Sequence, residues 1–532
     1  MDRSIDVSQV CENLTYIEEF DALCIESSPS RKKSKYPAKQ HARSVARHLG
    51  VKDGLIYLPG RPTVMMEDSD QQEPFRQRRY FYYLSGVDFE DCIVTYDIRK
   101  DILRLFIPPV NRKSVVWIGA KPGIEECKER YDVDHVDLVP DIDDYIVDWL
   151  RHQPSSSIYA LHKDQVPRRL LFCHADRVLV SIRKYLNTTL LQPAMDAARV
   201  IKSDYEIDLI RKANEISAHA HEGVLAALSW SDNESQLEAV FAGRCIAKQA
   251  KKQAYDIIVG SGENASTLHY SANDEPLKGR QLVCLDGGCE WNCYASDITR
   301  TFPISGTYTK EAAEIYEIVK EMQETCIDAV APGVAFSTLY RTALDIAVKG
   351  LMKLDILHNG SFDDVYLAGL AFFPHGLGHH VGLEVHDVSG AQTRLADNET
   401  IRDIRSRNPV HPRPQALDSA PTLLCPYERH DGSQRLAPNM VITIEPGIYF
   451  SRFAFEEVYL KDPRYGKYVN KDLLETYYPV GGVRIEDDIL VTKEGYENLT
   501  TAPKGEEACR IIREHKEKSA ARKDSSVWRL WT

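Results

Sequence analysis

Between Gln281 and Phe302, two strand-patterned apolar runs flank a short turn near Glu290–Asn292, and each run carries one aspartate. A turn centred on Trp291–Asn292 places Asp286 directly opposite Asp297. Directly opposed side chains in an antiparallel pair have Cβ atoms roughly 4.5–5.5 Å apart. Two carboxylates at that separation repel unless a cation lies between them or one is protonated. The ions of a two-metal hydrolase lie about 3.5–4 Å apart, a spacing that such a pair could clamp. The plain alternative is that one aspartate merely ends a strand while the other caps a turn.

A second cluster lies further along. The stretch Phe372–Asp387 holds His375, His379, His380 and His386 among glycines that let backbone approach closely. No Glu follows His375 or His379, so this is not the HExxH pattern of a zincin. A histidine here can give one nitrogen ligand to a mostly oxygen site, or donate a proton beside it. His380 has no evident role and is expected to be structural or partly exposed. Glu445 ends a strand that Pro446 terminates. In the strand Val483–Val491, Arg484, Glu486 and Asp488 share a face by period two. Asp487 and Asp488 are expected to face solvent or to stand behind the first ring of ligands.

Asp286, Asp297, Glu445 and Glu486 together carry a charge that two divalent ions would neutralise. Four carboxylates and an imidazole make an oxygen-rich site, better suited to Mn²⁺ than to thiolate-loving Zn²⁺. The whole chain of 532 residues has a net charge of −13, which argues against a general binder of nucleic acid or anionic membrane. No stretch approaches about 18 uninterrupted apolar residues, so no transmembrane helix is expected. The N-terminus lacks a signal-peptide core. The cysteines are scattered and form no CxxC, which reads as reduced thiols in a cytoplasmic protein.

The length gives a prior of two to four domains. Residues 1–35 read as a polar arm. Residues 36–193 alternate between strands and helices, as an α/β unit on a mixed sheet. Its expected strands are Gly54–Gly60, Arg79–Leu84, Asp91–Tyr96 and Ile102–Ile107; Glu125–Tyr131 and Ile142–Arg151 read as helices. Residues 195–505 read as a second, α/β or α+β unit. Here Tyr205–Leu228 has helical apolar spacing, with Ser203 and Glu206 as a capping box. Asn233–Gln253, Lys310–Ala329 and Ser337–Leu354 read as further helices. Residues 389–439 look like a surface insertion and 506–532 like a polar tail, frayed from Lys516 onward.

The order Asp-x10-Asp, His-Gly-Leu-Gly-His, Ile-Glu-Pro-Gly and Val-Arg-Ile-Glu resembles the proline-specific pita-bread metallopeptidases. These comprise the Xaa-Pro aminopeptidases (aminopeptidase P) and the Xaa-Pro dipeptidases (prolidases). The likeness covers 195–505. It extends to the first unit through Tyr36–Arg43 and Phe75–Gly86, which are similar to the aminopeptidase P N-terminal domain, fungal members in particular. The implied fold is a creatinase/aminopeptidase P-like α/β domain followed by a pita-bread catalytic domain. The implied activity is removal of the N-terminal residue from peptides with proline second, by a hydroxide bridging two divalent metals.

The resemblance implies roles residue by residue. Asp286, Asp297, His379, Glu445 and Glu486 would ligate two Mn²⁺ or similar ions per subunit. Asp297 and Glu486 would bridge them. His269 would line the proline pocket and contact substrate. His386 would hydrogen-bond the substrate carbonyl or the tetrahedral intermediate, and Glu445 would shuttle the proton to the leaving nitrogen. His375, Arg484 and Tyr449 would shape the substrate pocket. The implied partners are peptides with an Xaa-Pro N-terminus and a second copy of the chain, as a homodimer. Prolidase is the nearest rival; Arg429 and Arg435 are candidates to hold a dipeptide carboxylate. A non-catalytic pita-bread protein and a metal-independent creatinase-like hydrolase are disfavoured because all five ligand positions are filled. A methionine aminopeptidase is disfavoured by the large N-terminal unit.

Overall fold

The computed structural model describes residues 35–113, 115–166, 182–388 and 434–524. The arm 1–34, most of the expected insertion (389–433), Arg429 within it, and the last eight residues lie outside these.

Helix α1 (Ala38–Leu49) buries Ala38, His41, Ala42 and Val45 on one face and stops at Gly50, whose φ of 67° is left-handed. It covers a six-stranded mixed sheet built from β1 (Leu55–Pro59), β2 (Ile93–Asp97), β3 (Ile102–Ile107), β4 (His135–Leu138), β5 (Ile158–Tyr159) and β6 (Leu186–Asn187). The order is β4-β3-β2-β1-β5-β6. The pairs β1–β2 and β2–β3 are antiparallel, whereas β3–β4, β1–β5 and β5–β6 are parallel.

Arg79–Leu84, expected as a strand, is instead a helix, α2 (Arg79–Ser85). Its aromatic run has high strand propensity, but that propensity measures fit to a half-buried pleated surface. Here Phe81, Tyr82, Tyr83 and Leu84 are all buried, and Gly86, with φ 67°, closes the last turn.

After α3 (Leu191–Val200), the long helix α4 (Asp204–Ala227) begins with the expected capping box of Ser203 and Glu206. Helix α5 (Glu234–Ala247) is shorter than expected: Gln249 has a positive φ of 69°, and the chain leaves as the strand β7 (Lys252–Gln253). Helices α6 (Lys310–Asp328) and α7 (Phe336–Lys353) pack through Ile315, Val319 and Met322 against Leu339, Ala343 and Leu351 in the largest apolar core. Helix α8 (Glu506–Asp524) replaces the expected polar tail over its length. Ala508 and Ile512 on it are buried against α4 residues such as Ile216 and Ala220.

Three small antiparallel sheets carry the chemistry. The first holds β8 (Ile258–Ser261), β9 (Leu282–Asp286) and β12 (Thr299–Pro303), with β9 central. The second has β16 (Asp487–Val491) between β13 (Val441–Ile444) and β17 (Tyr496–Asn498). The third pairs β14 (Gly447–Tyr449) with β15 (Gly482–Arg484). The expected strand Val483–Val491 is thus two strands, broken at Ile485–Glu486. Among the described residues, no helix is long and apolar enough to cross a membrane. The eight described cysteines are all free and buried.

Candidate metal centre and active site

The acidic hairpin forms, in a register shifted by two. Strand β10 (Cys289–Trp291) pairs with β11 (Tyr294–Ala295) around Asn292 and Cys293, whose φ angles are 48° and 66°. Two left-handed residues in a two-residue loop match the twist of the flanking strands. Asp286 is therefore opposite Thr299, not Asp297. Asp297 lies in the irregular link between β11 and β12, where its backbone N–H donates to Asp488 Oδ2 at 3.0 Å.

One cavity of about 400 Å³ gathers the predicted residues. Its wall includes Asp286, Asp297, His379, Glu445 and Glu486, together with His269, His375, His386 and Arg484. Tyr449 stands behind that wall: its hydroxyl meets His375 Nε2 at 2.8 Å and accepts from Arg484 at 3.0 Å. Ligand atoms of Asp297, His379 and Glu486 all lie within 4.8 Å of one another. His379 Nε2 is 3.3 Å from Asp297 Oδ2 and 3.2 Å from Glu445 Oε1.

Each side chain is aimed by its element. Asp286 ends β9, and Arg484 on β15 donates to its Oδ2 at 2.7 Å. Glu486 occupies the break after β15, where the Thr299 hydroxyl donates to it at 2.7 Å. His379 lies flush against β13: its N–H donates to the Thr443 hydroxyl at 3.0 Å. A Cβ on the preceding Gly378 would sit 2.1 Å from the Thr443 carbonyl oxygen, so that approach requires glycine. The ring of His386 meets that of His379 edge-on, with centroids 4.2 Å apart.

The electrostatics show a site short of positive charge. Burial pushes the Asp297 carboxyl up to about 6, and nearby Asp286 adds repulsion. Burial and the charges of Asp297, Glu445 and Asp286 raise Glu486 well above the carboxylate range. Burial would lower His379, but Asp297 and Glu445 outweigh it and hold its proton far above the usual imidazole value. Burial would also raise Glu445, yet His379 overrides it and brings the carboxyl down to about 2. The carboxylates thus draw a proton onto the imidazole. A cation among them would replace that proton, so the donor set fits divalent metal.

Several functional neighbours were not evident in the sequence. Tyr255 donates to Asp286 Oδ1 at 2.6 Å; nothing in its local pattern marked it. Asp487 and Asp488 are fully buried rather than solvent-facing. Asp487 pairs with Arg300 at 2.7 Å, while Asp488 accepts from Asn214 at 2.7 Å as well as from Asp297. His380 is buried and meets Gln434 at 2.9 Å, which makes it structural. Arg435 donates to the Gly333 carbonyl at 2.8 Å and does not line the cavity.

The model of metallopeptidase family M24 matches residues 208–493, more than half of the chain. The chain belongs to metallopeptidase family M24. A second match, to the aminopeptidase P N-terminal domain, covers residues 38–159 of this M24 protein. Among curated relatives, a probable Xaa-Pro aminopeptidase of Sclerotinia sclerotiorum is 51% identical over 95% of this chain and 91% of that protein. One from Botryotinia fuckeliana is 52% identical over 94% of this chain and 90% of that one. E. coli aminopeptidase P with the inhibitor Pro-Leu superposes with a TM-score of 0.69 at 27% identity, covering 91% and 100% of the two chains. Proline aminopeptidase P II from Yersinia pestis gives 0.70 at 27% identity, over 90% and 99%. Family M24 peptidases are metal-dependent, which agrees with the charge deficit of this cavity.

Proposed function

We propose that the protein is a metal-dependent Xaa-Pro aminopeptidase, removing the N-terminal residue from peptides with proline second. The observation that carries this reading is one cavity, which brings the five candidate ligand side chains together with His269, His375, His386 and Arg484. Relatives named Xaa-Pro aminopeptidase, matching over nearly the whole chain, support it. We assign Asp286, Asp297, His379, Glu445 and Glu486 as ligands of two divalent ions, Mn²⁺ or similar. When bound, such ions supply an activated water and an electrophile for the carbonyl oxygen.

The remaining steps fall to the chain. Ile258, Leu268 and Val385 give the cavity apolar wall for a proline ring, and His269 lies beside them. His386 lines the same cavity, its ring edge-on to that of His379 with centroids 4.2 Å apart. A neutral imidazole donates one hydrogen bond to the oxyanion that develops on the scissile carbonyl. The carboxylate of Glu445 receives a proton and passes it to the departing proline nitrogen. The free substrate amine is anchored by the acidic end of the cavity. A volume of about 400 Å³ suits a peptide end rather than a folded chain.

The same reading divides the chain at 36–193 and 195–505, within which the two family matches fall. It makes the active form a homodimer in the cytoplasm, where the free buried cysteines persist. The test is hydrolysis of Ala-Pro and Ala-Pro-Ala before chelation, after it, and after Mn²⁺ is restored. Cleavage of the tripeptide that follows the metal supports the reading. Cleavage of the dipeptide alone would make the protein a prolidase.

A further inference from the structure

Glu234 is the first residue of α5 and its carboxylate is completely buried, yet it lines no cavity described above. Its Oε1 accepts from the Ser261 N–H at 2.8 Å, the Ser261 hydroxyl at 2.6 Å and the Asn264 amide at 3.1 Å. Its Oε2 accepts from the Tyr270 hydroxyl at 2.8 Å and the Glu275 N–H at 3.1 Å. The backbone N–H of Glu234 donates to the Glu275 carbonyl at 3.0 Å, closing the grip. The Arg280 guanidinium lies 3.8 Å away.

All five donors belong to one segment, 261–275. That segment leaves β8 and presents Leu268, His269 and Ser271 to the substrate cavity. A buried carboxylate is costly unless its lone pairs are used. Here five donors fill the roughly four acceptor sites of a carboxylate, and the N-terminus of α5 adds favourable dipole. An ordinary surface loop needs no such hub, because water and local turns satisfy its backbone. The donors bracket His269: Ser261 and Asn264 hold one side, Tyr270 is its chain neighbour, and Glu275 holds the other side.

We propose that Glu234 is a positioning residue for substrate binding. It fixes His269, through Tyr270 and the rest of segment 261–275, in the place where the prolyl residue is held. The proposal rests on the aminopeptidase reading and deepens it. A Gln at 234 would turn one acceptor oxygen into a donor facing at least one backbone N–H, of Glu275 or of Ser261, and that tether would be lost. A Phe at 270 would remove one tether and keep the ring.

The test is steady-state kinetics on Ala-Pro-Ala with the Mn²⁺-loaded enzyme, using Glu234→Gln, Tyr270→Phe, His269→Ala and the two double variants with His269→Ala. Glu234→Gln is expected to raise KM about tenfold and change kcat less than about threefold, and Tyr270→Phe to raise KM about threefold. Metal content stays as in the parent. In the His269→Ala background both KM effects shrink to less than half, because the tether then holds only Leu268 and Ser271 against the substrate. Equal KM factors in the two backgrounds, or no change from either single variant, would overturn the proposal. So would an unchanged KM in His269→Ala, which removes the residue through which Glu234 acts. Failure of the parent enzyme to cleave Ala-Pro-Ala would instead strike the functional reading. If Glu234→Gln does not fold, Tyr270→Phe and its double variant decide the matter alone.

Discussion

Lys202 and Asp387 form a buried ion pair 3.1 Å long, which ties the segment before α4 to the residue that follows His386. Arg199 completes the arrangement at 2.5 Å from the other carboxylate oxygen. Removing one cation leaves Asp387 compensated only by Arg199. Lys202→Met should lower unfolding free energy by about 1–3 kcal/mol, measured by urea denaturation. It should also reduce kcat, because His386 loses part of its support. Full stability in that variant would show the pair to be dispensable.

Asp297 Oδ2 lies 3.3 Å from His379 Nε2 within the proposed ligand set. Asp297→Ala should lower activity on Ala-Pro-Ala by at least about 100-fold and reduce bound metal, counted by elemental analysis. An enzyme that keeps its metal and its rate without this carboxylate would contradict the assignment.

Tyr255 is not among the proposed ligands, but its hydroxyl donates to Asp286 Oδ1. Tyr255→Phe keeps the ring and removes that hydrogen bond. Groups of this kind typically contribute about 10–100-fold to metal affinity or activity. A competition titration against a chelator should show weakened Mn²⁺ binding in this variant, with the fold unchanged by circular dichroism.

Two buried histidines that do not line the cavity, His221 and His380, make stability depend on pH. Burial, aided by Arg300, lowers His221 to about 3, and burial with Lys202 lowers His380 to about 4. Both titrate near 6.5 once unfolded. Below that value the unfolded chain takes up protons that the folded chain refuses, so stability falls as pH drops from 6.5 towards 4. The urea midpoint should fall by about 1 M between pH 7 and pH 5, and less in His221→Asn. An identical fall in parent and variant would remove His221 from the explanation.

The motifs were legible because each couples residue type to spacing. Four ligand-bearing segments could be read separately, and the capping box of α4 could be placed to the residue. Register was not legible. The hairpin pairs two positions away from the expected alignment because Asn292 and Cys293, not Trp291, take the left-handed turn. The helix Arg79–Ser85 was hidden by its aromatic content, since burial on all sides erases the periodicity that marks a helix. Tyr255 and Glu234 were hidden for a different reason. Each acts on a partner 31 and 27 positions or more away, and no local pattern records such a contact.

The proposed ligands come from four separate stretches of chain, with Asp286 and Glu486 two hundred positions apart. No short fragment can therefore hold the ions, and metal cannot seed the folding of this protein as zinc does in a small finger domain. The long loops between ligands must close first, driven by the apolar cores, and this closure is slow for contacts so distant in sequence. Metal loading would then follow folding, and an enzyme starved of metal would accumulate as a folded, inactive reserve.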